Sequence, residues 1–305
     1  PSRSADDNSP LIYGRPKPWT SFTTISIDGN YYGFGTQTVK RAGKKAIYGQ
    51  VVDSRVSESD ISYVTQLKGI KATQRLSFFR NPLSNVEDAI LIEYEVENTS
   101  PVTKNVGLRI MMDTMLGKND AAPFRIGEKI IESEQTLIGD DILDYWQTFD
   151  SLSEPNVIGQ GLLRHPPSGL TPPDKLILMN WGSLADNLFD VQITPGRSFL
   201  RDGEDEQDTA LALLWQPIAL GPNQSSTYKT VMGLGGVTLK PGDLSLGMTA
   251  PSQLAITDPN IYTIMVYISN TGGYDVLNSS IMLNLPPGLE LVQGTPETLL
   301  NNILS

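Results

Sequence analysis

The two-residue alternation of apolar and polar side chains is the feature that most limits what this chain can fold into. Residues 90–97 alternate in this way, and so do residues 105–112, after the turn-forming residues 98–101. The apolar positions of the two segments are Ile90, Ile92, Tyr94, Val96, Val106, Leu108, Ile110 and Met112. Successive side chains of a strand point to opposite faces, so this period predicts two strands with one buried face each. The short connection predicts that they form an antiparallel hairpin.

Further strands follow the same pattern. Residues 211–215 and 228–232, joined by the loop 217–222, predict a second hairpin, and the turn 28–30 predicts a third. Sustained 3.6-residue periodicity is absent from the sequence, although residues 182–189 are compatible with a short helix. The segment 141–149 is compatible with either a strand or a helical turn. We therefore expect an all-β fold built around a large antiparallel β-sandwich.

Turn-forming residues divide the chain into four segments. Residues 1–20 are predicted to form an N-terminal arm, residues 21–237 a large antiparallel β-sandwich domain, and residues 238–243 a linker. Residues 244–305 then carry four or five predicted strands, whereas an immunoglobulin-like sandwich has about seven. The last segment is therefore expected to be a partial immunoglobulin-like domain, belonging to a longer protein.

Composition excludes several classes of function. The formal net charge is −11, and no stripe of lysine and arginine is present, which argues against a nucleic-acid partner. No run approaches the ~18 apolar residues of a membrane span, so direct membrane insertion is not expected. The absence of cysteine excludes disulfides and thiolate chemistry.

Two segments resemble parts of bacterial surface proteins. Residues 244–294 resemble cell-surface immunoglobulin-like modules of the CARDB and DUF11 type, on the strength of residues 262–272 and 285–294. Residues 20–236 resemble the large β-domain that precedes such modules in uncharacterised bacterial surface proteins, on the strength of residues 113–124 and 210–215. The resemblance implies an extracellular or cell-surface location and a glycan or a cell-envelope protein as partner.

The size and strand content of the large domain suit a supersandwich like that of galactose mutarotase. Catalysis in that family uses histidines together with a carboxylate, and His165 is the single histidine of this chain. One histidine is too few for that pattern, so mutarotase-type chemistry is not expected from the sequence.

Two acidic loops are candidate metal sites. Asp113, Asn119 and Asp120 follow a strand with a buried face, and clustered oxygen ligands of this kind suit Ca²⁺. A second loop is dense in carboxylates, and its candidate ligands are Asp202, Glu204 and Asp205. For both loops the simpler interpretation requires no cofactor, with turn hydrogen bonds in the first and solvation in the second. Calcium is the alternative.

Adjacent aromatic residues form a candidate sugar-binding surface. Tyr145 and Trp146 point to opposite faces if they lie in a strand, so we expect one of them to be exposed.

Three functions are compatible with these observations. The leading hypothesis is a non-catalytic structural or adhesion module of a larger cell-surface or secreted protein. The alternatives are a carbohydrate-binding β-sandwich and a supersandwich-type sugar-active enzyme. The enzyme would need two acidic side chains that converge in a cleft.

Overall fold

The computed structural model describes most of the chain. The described residues are 9–14, 19–80, 87–153, 155–164, 169–235, 244–249, 261–270, 276–285, 287–295 and 297–303. The predicted linker 238–243 and His165 lie outside these residues. Among the described residues, no helix is long and apolar enough to cross a membrane.

Strands make up nearly all of the regular structure up to residue 235. They are β1 (Phe22–Ile27), β2 (Asn30–Gly33), β3 (Ile47–Tyr48), β4 (Gln50–Val56), β5 (Asp60–Leu67), β6 (Ile70–Arg80), β7 (Glu87–Asn98), β8 (Lys104–Asp113), β9 (Phe124–Ile126), β10 (Lys129–Ile131), β11 (Gln135–Ile138), β12 (Tyr145–Phe149), β13 (Ile158–Leu162), β14 (Lys175–Asn180), β15 (Thr209–Leu220) and β16 (Ser225–Leu234). One short helix, α1 (Trp181–Asp186), overlaps the segment 182–189 that is compatible with a helix in the sequence. The ambiguous segment 141–149 contains the end of a 3₁₀ turn, Gly139–Asp141, and strand β12.

Two large sheets form the sandwich. The first has seven strands in the order β11-β14-β15-β8-β1-β2-β3, and the second has nine in the order β10-β9-β12-β13-β16-β7-β6-β5-β4. Every pairing is antiparallel apart from the two-residue contact of β2 with β3. The predicted all-β, antiparallel sandwich is therefore confirmed.

The main core contains apolar side chains from both sheets. The alternate residues Leu211, Leu213 and Trp215 of β15 belong to it. Their neighbours Ala210, Ala212 and Leu214 belong to a second cluster on the other face of the seven-stranded sheet, together with Leu184 and Ala185 of α1. Strand β15 is therefore covered on both faces, and α1 is part of that cover.

The hairpin predicted around residues 28–30 is confirmed. Strands β1 and β2 pair from Thr24 opposite Gly33 to Ile27 opposite Asn30. Asp28 and Gly29 take φ values of 49° and 79°, which is the left-handed pair that a two-residue hairpin turn requires.

The other two predicted hairpins are wrong. Strand β7 lies in the nine-stranded sheet and β8 in the seven-stranded sheet, and the same division separates β16 from β15. Each short loop therefore crosses from one sheet to the other. Apolar residues of both members of each pair, such as Val96 of β7 and Leu108 of β8, belong to the same core cluster between the sheets. Period-two alternation predicts that one face of a strand is buried. It does not distinguish two strands that are hydrogen-bonded side by side in one sheet from two strands that face each other across the core in different sheets.

The chain contains two compact units. Ser9–Arg80 and Glu87–Gly235 form the large one, which we call the large domain, and the described residues after 243 belong to the other. In that second unit β17 (Leu244–Thr249) pairs with β18 (Met265–Asn270), and β19 (Val276–Met282) pairs with β20 (Glu297–Ile303).

Candidate functional site

Neighbouring strand ends bring three aspartates together. Strand β8 ends at Asp113, which lies opposite Ala210 near the start of β15. Asp208 comes directly before β15, so antiparallel pairing places it at the same end of the sheet as Asp113.

The third aspartate, Asp120, is held by the loop that follows β8. The backbone N–H of Thr209 donates to the Asp120 carbonyl at 3.0 Å, and the Thr209 hydroxyl donates to the Ala122 carbonyl at 3.0 Å. Thr114 completes this connection by donating its hydroxyl to the Thr209 carbonyl at 3.0 Å. The buried residues Thr114 and Thr209 thus connect the loop to the start of β15.

We call Asp113, Asp120 and Asp208 the aspartate cluster. One carboxylate oxygen from each lies within 4.8 Å of the other two. Asp113 is 2% exposed, whereas Asp120 and Asp208 are half-buried. The Oδ1 atom of each is buried and has no hydrogen-bond partner among the described residues.

Burial and mutual repulsion raise the pKa values of the cluster. Burial raises the pKa of Asp113 to about 8, the charges of Asp208 and Asp120 add to the effect, and Thr20 opposes it. Burial likewise raises the pKa of Asp208 to about 7, with further contributions from Asp120 and Glu204. The pKa of Asp120 is also raised, mainly by burial. The cluster is therefore an unfavourable place for three uncompensated negative charges.

Aromatic side chains lie next to the cluster. The backbone N–H of Trp181 donates to the Asp208 carbonyl at 3.1 Å, and the Trp181 indole N–H donates to the Thr20 carbonyl at 3.1 Å. The backbone N–H of Tyr13 donates to the Asp113 carbonyl at 3.0 Å. Trp19 packs edge-on against Tyr13 with ring centroids 6.1 Å apart, and it remains 42% exposed. Carboxylates and indole rings thus occupy one region of the large domain.

The sequence prediction placed Asp113 and Asp120 in one metal site with Asn119, and the structure brings only the two aspartates into the cluster. The Asn119 amide donates to the Asp150 carbonyl at 2.9 Å and accepts from the Ala121 N–H at 2.9 Å. Asn119 therefore has the turn role that was the simpler interpretation.

The second predicted metal loop does not gather its three residues. Asp202 and Asp205 are exposed and lie outside the cluster. Glu204 forms ion pairs with Arg201 at 2.8 Å and Arg41 at 3.7 Å, which occupy its carboxylate. Asp208 ends the same acidic run, and its position directly before a strand is the signal that could have singled it out.

Of the two aromatic residues predicted to bind sugar, Trp146 lies in the core. It is 0% exposed and packs against Phe124 with ring centroids 6.4 Å apart. A fully buried indole cannot contact a dissolved sugar, so that part of the prediction does not hold. Tyr145 is half-buried, and its role in binding stays a prediction.

A separate open groove of about 590 Å³ lies between the edge strands β10 and β11 of the two sheets. Its carboxylates are Glu134, Asp140 and Asp141. The Glu134 carboxylate is paired with Arg197 at 2.7 Å and accepts the Thr194 N–H at 3.1 Å. Because this acid is already compensated, we regard the aspartate cluster as the stronger candidate site.

Comparisons with known proteins give structural likenesses only. No protein-family model and no curated protein matches the sequence. A protein assigned as an aldose 1-epimerase from Escherichia coli K12 is similar in structure, with a TM-score of 0.42, 10% identity, and 74% of this chain and 89% of the other covered. A GalM/aldose epimerase homologue from C. elegans has a TM-score of 0.34, 11% identity, and coverage of 70% and 78%. A galactose mutarotase-like protein from Lactobacillus casei has a TM-score of 0.32, 9% identity, and coverage of 70% and 85%.

These comparisons correct two predictions. The three similar structures named above are aldose epimerase or galactose mutarotase-like proteins and not CARDB or DUF11 modules, so the resemblance to bacterial surface modules is wrong. The non-catalytic structural or adhesion function that rested on this resemblance is wrong with it. The extracellular or cell-surface location stays a prediction.

Proposed function

We propose that the large domain is a sugar-active protein that binds a carbohydrate at the aspartate cluster. The observation that carries this proposal is the convergence of three carboxylates in the region that also holds the exposed indole of Trp19, with one buried oxygen of each carboxylate lacking a hydrogen-bond partner among the described residues. Carboxylate oxygens accept hydrogen bonds from sugar hydroxyls, and an indole face packs against the apolar C–H face of a sugar ring.

The electrostatics of the region favour a neutral sugar. The aspartate cluster contains three carboxylates, and the whole chain has a formal charge of −11. An anionic glycan brought to this place would meet like charges, which oppose binding. Neutral monosaccharides and oligosaccharides are therefore the ligand class that we expect.

Calorimetric titration of the full chain with neutral sugars tests the proposal. Trp19→Ala is expected to weaken binding about tenfold, because an aromatic contact contributes roughly 1 kcal/mol beyond its buried area. Tyr145→Ala tests the competing prediction that half-buried Tyr145 binds the sugar, and it is expected to leave affinity unchanged if the sugar binds at the cluster. If Tyr145→Ala abolished binding and Trp19→Ala did not, the cluster would not be the sugar site.

Convergence of the carboxyl groups also favours a second candidate, a sugar-active enzyme. Asp113 and Asp208 present carboxylate oxygens within 4.8 Å of each other, and two convergent acids are what proton transfer at a sugar requires. NMR observation of anomer interconversion in neutral aldoses measures this activity. We expect acceleration by the wild-type chain and by Asp205→Asn, an exposed control, and its loss in Asp208→Asn. Equal rates with and without protein would contradict the enzymatic candidate.

A further inference from the structure

Asp113 is an unusual buried residue because one of its oxygens is unused. Its side chain is 2% exposed, and Oδ1 has no hydrogen-bond partner among the described residues. A buried acceptor without a donor destabilises a fold by roughly 1 to 3 kcal/mol, more if it is charged, so such atoms usually have a partner. One carboxylate oxygen of Asp113 lies within 4.8 Å of carboxylate oxygens from Asp120 and Asp208, and each of those residues also has a buried Oδ1 without a partner among the described residues. What these three oxygens have in common is the need for a positive partner.

No cationic side chain of the described residues forms an ion pair with the cluster. The nearby arginines are committed to other acids: Arg41 pairs with Asp186 at 2.7 Å, and Arg201 pairs with Glu204 at 2.8 Å. The remaining ion pairs of the described residues likewise join other side chains. The protein thus leaves the compensation of the aspartate cluster to something other than a lysine or arginine.

We propose that Asp113, Asp120 and Asp208 bind one calcium ion. All three ligands are hard carboxylate oxygens, which are preferred by Ca²⁺, Mg²⁺ and Mn²⁺ over softer transition metals. Ca²⁺–oxygen distances of about 2.3 to 2.6 Å allow two ligands of one ion to be as far as about 5 Å apart, and Mg²⁺ allows only about 4.2 Å. The 4.8 Å limit on the distances between the three oxygens lies below the calcium value, so any two of them are close enough to share one Ca²⁺.

The three aspartates do not fill the coordination shell. Ca²⁺ takes about six to eight oxygens, so three aspartates leave positions for water or for hydroxyls of a ligand. Asp113 is buried, whereas Asp120 and Asp208 are half-buried. This inference goes beyond the proposed function, because it requires no sugar and can hold if sugar binding fails.

Titration of the chelator-treated full chain with CaCl₂ alone tests the proposal, by calorimetry and by thermal melting. We expect saturable binding of one Ca²⁺ per chain, with a melting temperature that rises with Ca²⁺ concentration. Mg²⁺ is expected to bind more weakly. The Trp181 indole also provides a second readout, because it lies close enough to Asp208 to sensitise luminescence of Tb³⁺ bound in place of Ca²⁺.

Aspartate-to-asparagine substitutions inside and outside the aspartate cluster distinguish binding at this site from a general effect of charge. Asp208→Asn is expected to weaken Ca²⁺ binding at least tenfold, because affinity depends on the number of charged ligands. Asp205→Asn, three residues earlier and exposed, is expected to bind as the wild type does. Asp113→Asn is expected to lose Ca²⁺ binding and yet melt no lower than the metal-free wild type, because an amide replaces the buried carboxyl group without changing its shape.

Either of two results would overturn the proposal. One is a wild-type chain that neither binds Ca²⁺ nor melts higher at millimolar Ca²⁺. The other is an Asp208→Asn variant that retains wild-type affinity, because the ion would then be bound elsewhere.

Discussion

Asn98 illustrates how a single buried polar side chain determines a connection. The sequence predicted a turn at residues 98–101, and the structure shows Asn98 fully buried there. Its amide donates to the carbonyls of Val102 and Leu220, both at 2.8 Å, and its Oδ1 accepts from the Ser100 N–H at 3.0 Å. The bond to Leu220 joins the loop between the two sheets to the end of β15. The turn-forming residues 98–101 predict that a loop occurs here. The hydrogen bond between Asn98 and Leu220 holds that loop against the end of β15.

We expect Asn98→Ala to lower the free energy of unfolding by about 3 kcal/mol, because it removes the hydrogen bonds of a fully buried side chain and leaves the Leu220 carbonyl without its amide donor. Urea denaturation measures the change. The control Asn105→Ala removes an exposed amide from the other side of the same loop, and its effect is expected to stay below about 0.5 kcal/mol. Equal effects of the two substitutions would contradict the role given to Asn98.

At the scale of elements, α1 is held in place by charged contacts that no local pattern predicts. Asp186, its last residue, accepts from the Arg41 Nη2 at 2.7 Å and from the Arg201 Nη1 at 2.7 Å. Arg109 of β8 is buried and donates to the Leu184 carbonyl at 2.8 Å and to the Asn187 carbonyl at the end of the helix. A six-residue helix is marginal by itself, so these contacts are what keep it on the sheet.

The Asp186 contacts predict a dependence of stability on pH. The Arg41 hydrogen bond is the main reason that the pKa of Asp186 is lowered to about 2, from an ordinary value of 3.8. The carboxylate therefore contributes stability above about pH 4 and loses it as the pH falls towards 2. Asp186→Asn should be less stable than the wild type at pH 6, and the difference should shrink between pH 4 and pH 2 in chemical denaturation. A difference that is independent of pH would contradict this ionic role.

The whole molecule consists of units that do not share a sheet. Among the described residues, strands β1 to β16 pair only with one another, and β17 to β20 form two separate two-stranded sheets. The large domain also contains both core clusters that involve β15. Its regular structure is thus complete without the described residues after 243.

A fragment of residues 1–237 is therefore expected to fold by itself. Its thermal unfolding, followed by circular dichroism, should be cooperative, with a midpoint within about 4 °C of the main transition of the full chain, which corresponds to roughly 1 kcal/mol at this size. A fragment without a cooperative transition would show that the second unit is required for the sandwich.

The sequence by itself determined the β class, the positions of six strands of the large domain, the approximate place of the short helix and the hairpin at residues 28–30, and those strands are β1, β2, β7, β8, β15 and β16. These are local properties, because they follow from the two-residue period, from turn-forming residues and from left-handed backbone positions. Only the tertiary structure decided that β7 and β8 lie in different sheets, since alternation looks the same for edge pairing and for packing across a core. The candidate site was decided in the same way. Asp113 and Asp120 were predicted together because they are close in the sequence. Asp208 lies near them only because β15 pairs with β8. At the hydrogen bond between Thr114 and Thr209, the two segments are 95 residues apart in the sequence.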